Sequence, residues 1–299
     1  SPDVPLWASD PQIIVIDCVN LPGFESRSGP LIGAYAEPFA PVTVSYGATE
    51  ITLTRRASIG TTLTALPSGP VGRYDRANTL DIELTSGHIA SVGEDDFLGG
   101  RNAFALHTSL GWEIVQFQNA ELISPNIYRL TTLLRGQLGS DYTMVENVEA
   151  GAQVVILDAA LTPLPLSDEL AGSEVELHYQ SAGRAMESLT TPYMAAHLRP
   201  LAPIHLKATP RSANLDISWI RRGRISADNW AGLDIPLGEE VEQYRLRFIK
   251  DGSVHSEYLI DSPQLSVPLT AAPPAPYDIT LCQFSAAIGA GFEARVNMG

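Results

Sequence analysis

The chain has 299 residues, with 19 Lys and Arg against 34 Asp and Glu for a net charge of −15, and 44% of it is hydrophobic. That length exceeds one ordinary core and predicts two or three domains. The acidic balance argues against direct or sequence-specific grip on nucleic acid, whose footprint is clustered positive charge, and against docking on anionic lipid by charge alone. No run of about 20 apolar residues could span a bilayer, and the composition is that of a folded, soluble protein.

The opening SPDVPLW has neither a basic region nor a hydrophobic core of a leader, and no initiating Met, so the chain is expected to be a piece of something longer. Short apolar or alternating runs follow at PQIIVIDCV, PVTVSY and EITLT, which predict a β-rich segment over 1–70. Thr79 to Thr85 alternates polar and apolar with period two, and GWEIVQF and AQVVILD add strands, predicting a second β-domain over 71–160. LTPLPL, at 161–166, reads as a boundary. Beyond it a connecting β segment, 161–202, holds SEVELHY and short helical turns at SDELAG and near YMAAHL. No segment gives a long, capped amphipathic helix.

HLRPLAPIHL, with prolines at 200 and 203, marks the next boundary, and the rest, 203–299, is the clearest part. Asn214 to Trp219 alternates, then come a turn-rich insertion, a strand at YRLRFI, a hairpin signal at KDGS, a strand through Tyr258 to Ile260, and a final pair from Tyr277 and from IGAGFEARV. This order resembles a fibronectin type III sandwich, with Tyr277 at the place of a tyrosine corner and Trp219 as the buried aromatic. The fold class expected is mainly β, several small β-domains, the last of them fibronectin type III-like.

Chemistry-bearing motifs are sparse. There is no G-x-S-x-G, H-E-x-x-H, Walker A or G-x-G-x-x-G string. His88, His107, His178, His197, His205 and His255 are scattered rather than set at ligand spacing. Glu94-Asp95-Asp96 offers hard oxygens for calcium but lacks the spacing of an EF-hand, and an exposed acidic turn is the preferred reading. Arg221, Arg222 and Arg224 offer a phosphate or acidic-glycan patch; compensation by Asp228, Asp234, Glu239 and Glu240 is preferred, and Arg73 and Arg76 beside Asp75 are read the same way. Cys18 and Cys282, each in an apolar run, are read as buried free thiols, with a long-range disulfide left open. No catalytic, cofactor or metal residue is assigned, and no enzyme activity is expected.

Two blocks carry a family resemblance. Trp112 to Phe117, then AELIS, then Tyr128 to Ser140 with its Leu133-Leu134-Arg135-Gly136 core, resembles the C-terminal half of the large baseplate protein of gene transfer agents, called megatron, and of siphophage host-specificity proteins. Trp219 to Ile225, then DNWAGLDIPLGEE, then Tyr244 to Leu246, resembles the fibronectin-like module of the same proteins. Those relatives carry an upstream barrel resembling glycoside hydrolases that has no counterpart here, so hydrolysis does not carry over. Gly136 and Gly139 are read as turn residues needing positive φ, and Leu130, Leu133 and Leu134 as apolar burial, hence as fold determinants. The resemblance implies a virion component at the distal end of a phage-like tail, self-associated as a trimer and bound to other tail proteins. It also implies a role in attachment to a host receptor or glycan and in DNA delivery through the envelope, for which an acidic conduit would avoid sticking to phosphates. The competing expectations are a bacterial surface adhesin or carbohydrate-binding β-module and, behind it, a polysaccharide-degrading tail enzyme.

Overall fold

Alternating apolar residues punctuated by glycine and proline turns put about half of the described residues into mostly short antiparallel strands, seen in a computed structural model that describes residues 10–224, 239 and 241–299. The chain falls into two compact units, Ser1–His197 and Leu198–Gly299. The first unit begins with β1 (Gln12–Ile16), β2 (Leu31–Tyr35), β3 (Val42–Tyr46), β4 (Thr49–Leu53), β5 (Ile59–Thr62), β6 (Leu66–Pro67) and β7 (Leu80–Leu84). It continues with a short helix α1 (Glu94–Leu98), β8 (Ala103–Thr108), β9 (Gly111–Ser124), β10 (Ile127–Leu134), β11 (Asn147–Val148), β12 (Gln153–Ile156), β13 (Thr162–Pro163), β14 (Ser173–Ser181) and β15 (Glu187–Tyr193).

Six of these strands close into a barrel in the order β10-β7-β5-β12-β8-β9, which leaves them no free edge. The alternation seen in β7 points Leu80, Ile82 and Leu84 inward. They meet Phe104, Leu106, Val115, Phe117, Leu130, Leu133 and Val154 in one buried core. Each such side chain contributes about 1.5–3 kcal/mol by burial. Gly60 is required by the closure, because a Cβ there would lie 2.2 Å from the Glu83 carbonyl oxygen on the paired strand β7.

Strand pairing crosses the boundaries expected at 70/71 and 160/161. The barrel runs from β5 to β12, so a division after residue 70 would separate β5 from its partners β7 and β12. β3 and β4 share one sheet with β14 and β15, and β13 pairs with β2, so the chain leaves these sheets, builds the barrel and returns to them. LTPLPL is accordingly no linker, and Leu161, Leu164 and Leu166 are buried. The helical turns at SDELAG and YMAAHL are 3-10 turns at Asp168–Leu170 and Ala196–Leu198. The acidic turn at Glu94 is in fact the first turn of α1.

The second unit holds β16 (Ile204–Arg211), β17 (Asn214–Ile220), β18 (Tyr244–Lys250), β19 (Ser253–Ile260), β20 (Gln264–Pro268), β21 (Tyr277–Ser285), β22 (Gly289–Ala290) and β23 (Ala294–Met298). One sheet is β16-β17-β20, and the other runs β19-β18-β21 with β23 on the far side of β21. This is a fibronectin type III-like sandwich. Its core joins Leu215, Ile217 and Trp219 from one sheet to Tyr244, Leu246, Phe248, Ile279 and Leu281 from the other. Trp219 meets Tyr244 edge-on at 5.2 Å, and Tyr277, opening β21, packs on Phe248 at 5.8 Å. The KDGS turn has φ of 50° at Asp251 and 77° at Gly252, the double positive that a two-residue hairpin with right-handed strand twist requires.

Candidate functional site

The one strongly charged feature inside the barrel lies where β10 ends and β9 begins. Arg135, in the Leu-Leu-Arg-Gly string, is fully buried, as is Glu113 in the apolar run around Trp112. Arg135 Nε donates to Glu113 Oε1 at 2.7 Å and Nη2 donates to Oε2 at 2.9 Å, the two-pronged geometry that a planar guanidinium offers a carboxylate. Nη1 donates to the Pro67 carbonyl at 2.7 Å, and the Gly136 N–H donates to Glu113 Oε1 at 3.1 Å. Asp75, only 1% exposed, places Oδ2 3.9 Å from Arg135 Nη1 and accepts from the Ala77 and Asn78 N–H groups and the Asn78 amide. Asp75 and Leu133 also exchange backbone bonds of 2.8 and 2.9 Å.

The backbone is shaped around this network. Gly69 presses against it, since a Cβ there would stand 2.4 Å from Asp75 Oδ2. Gly136 turns the chain with φ of 57°, and a Cβ would fall 2.8 Å from the Asp141 Cα. The following turn is sewn to β9: Ser140 Oγ accepts from the Ile114 N–H and donates to the Gln137 carbonyl, both at 2.8 Å. Gly139 has φ of 88°, and Leu130 and Leu133 are buried while Leu134 is half-buried. The two strings of the first resemblance block are therefore the two halves of one buried ion pair with its turn. All three guanidinium nitrogens and both Glu113 oxygens are bonded within the chain, so the arrangement works as a staple across the barrel end.

The other candidates stand apart from it. Asp75 is no surface partner of Arg73 and Arg76; it is buried against Arg135, and Arg76 instead lies over the Tyr74 ring at 4.7 Å. Glu94 accepts from the Tyr74 hydroxyl at 3.0 Å and Asp96 pairs with Arg101 at 3.1 Å, while Gln116 Nε2 ties α1 to the barrel through the Phe97 and Arg101 carbonyls. His88 bonds the Tyr128 hydroxyl through Nδ1 at 2.8 Å, and His107 packs on Trp112, where burial lowers its pKa. Among the described residues no group of three or more His, Cys, Asp or Glu is placed to hold a metal ion. Arg224 pairs with Glu239 at 2.7 Å, and Asp228, Asp234 and Glu240 lie outside the described residues, as does most of the DNWAGLDIPLGEE string.

Cys18 and Cys282 are buried free thiols. Burial pushes the Cys18 thiol up to about 11, and burial likewise raises that of Cys282, which disfavours the thiolate at both. An open pocket of about 360 Å³ is lined by Thr54, Arg55, Ala159, Ala160 and Thr162, none of which belongs to the network. No helix among the described residues is long and apolar enough to cross a membrane.

Residues 57–155 match a family model described as Rcc01698-like, C-terminal, roughly a third of the chain. The match begins two residues before β5 and ends one residue before the close of β12, so it covers the barrel and its staple. No curated protein matches the chain. Among solved structures, the central fibronectin-III array of RIM-binding protein matches over 80% of this chain and 68% of that one, at 8% identity and a TM-score of 0.20.

Proposed function

We propose that this chain is a structural part of the tail tip, or baseplate, of a phage-like particle such as a gene transfer agent, contributing to host attachment and DNA delivery. The observation that carries this reading is the coincidence of the matched segment with the closed barrel, under a family name associated with gene transfer agents. The residues that make up the resemblance build a rigid module rather than a reactive centre: Arg135 and Glu113 spend their hydrogen-bonding groups on each other and on nearby backbone.

The proposed role is non-enzymatic. Its partners are other copies of the chain and other tail proteins, with a receptor or glycan at the host surface, and its place is the distal end of the tail. Permanent assemblies of this kind commonly bury about 2,000 Å² or more. The test is genetic: deletion of the coding sequence should abolish DNA transfer by leaving particles without a complete tail tip, while the purified chain should cleave neither peptidoglycan nor capsule. Polysaccharide cleavage by the purified chain would contradict a non-enzymatic part, and normal, fully active particles without it would contradict the tail-tip role.

A further inference from the structure

Open sheet edges are templates for pairing, and proteins normally blunt them with proline, lysine, short length or cover. The edge strands described here mostly follow that rule. β16 carries Lys207, Pro210 and Arg211, β15 carries Pro192, β20 ends at Pro268, and β4 and β23 are only five residues long. β1 is also five residues, with Ile14 and Ile16 buried. β19 is the least protected of them: an eight-residue edge, SVHSEYLI, without proline, lysine or arginine, blunted only by one bulge and by Glu257. Its register shift against β18 lies near the hairpin turn, so Ser256–Ile260 runs in unbroken register. Val254 and Leu259 are 52% and 63% exposed along it.

The charge on this edge selects its occupant. The strand and its flanking turns carry Asp251, Glu257 and Asp261 and no cation apart from Lys250, whose ammonium is held by the Pro276 carbonyl. Glu257 reaches across to Arg247 but stays 41% exposed. Antiparallel pairing of β19 with a second copy of itself, centred on Glu257, opposes that acid to itself. Like charges directly opposite one another destabilise a sheet.

We propose that the edge of β19, which no described strand pairs, takes up an extended segment of another protein carrying alternating basic and apolar residues, which adds a strand to the β18–β19 sheet. Backbone bonds supply the register-independent part of the affinity; on the outward face a lysine or arginine faces Glu257 with its aliphatic stem over Leu259, and the apolar side chains fall on the other face, beside Tyr258 and Ile260. The inference stands on the second unit alone and is independent of the reading of the barrel.

The probe is an acetylated heptapeptide of alternating lysine and valine, compared with its glutamate–valine counterpart, and the readout is hydrogen exchange of the whole chain. The lysine peptide should slow exchange in 253–260 saturably, by roughly fivefold or more, and less so at high salt, while the glutamate peptide should not. The double variant Glu257→Lys, Asp261→Lys should reverse the preference. No protection by either peptide on the parent chain, or equal protection by both, overturns the proposal whether or not the variant folds. Protection of 253–260 that rises with protein concentration alone, with sedimentation showing dimers, also overturns it, by assigning the edge to self-association.

Discussion

A fully buried arginine is tolerable only if its charge and its donors are answered inside the protein, and Arg135 meets both conditions through Glu113, Pro67 and Asp75. Removing one member strands the other. Arg135→Met or Glu113→Leu alone should each cost about 3–5 kcal/mol in urea unfolding of the barrel, while the double variant should cost clearly less than the sum. Additive losses would mean that the two residues do not act as a pair. Gly136→Ala should cost more than about 1 kcal/mol, because the backbone is left-handed there and the methyl would meet Asp141. Both charges were visible in the sequence as ions inside apolar runs. Their pairing was not, because they lie 22 residues apart and only the closed register of β9 against β10 brings them together. Asp75 misled for a related reason: flanking arginines suggest a surface cluster, whereas the backbone bridge to Leu133 turns this carboxylate inward.

Single strands were legible from period-two alternation, as in β7 and β17, and the fibronectin-like order was legible because its turns carry strong local signals such as Asp251-Gly252. Barrel closure was not, since a sequence pattern says which face is buried but not which strand lies beside it. For the same reason the β3–β4 and β14–β15 sheet, joined across the whole barrel sequence, escaped a reading made segment by segment. Trp219→Ala should destabilise the second unit by about 3–5 kcal/mol, measured by chemical unfolding, and leave the barrel transition unmoved. Surface pairs add a pH dependence of known sign. The Arg129 guanidinium, bonded to both oxygens of Asp81 across the β10–β7 pair, holds that carboxyl below its ordinary range, as Arg295 and Asn297 do for Asp278 on the β21–β23 pair. A lowered folded pKa gives stability that is present above the ordinary carboxylate value of about 3.9 and is lost as pH falls through the folded value. Arg129→Gln should therefore be less stable than the parent at neutral pH, with the difference closing in strong acid; a difference independent of pH would contradict this origin.

At the scale of the whole molecule, the chain has a barrel held by a buried ion staple in its first unit and a sandwich in its second, and each unit has its own apolar core. The family match falls on the first of these modules and the proposed docking edge on the second. The central claim is one of place. Gold labelling of a tag after Gly299 in purified particles tests it most directly: the account predicts label at the distal end of the tail, and label on the cell envelope of cells making no particles would contradict it and favour a surface adhesin.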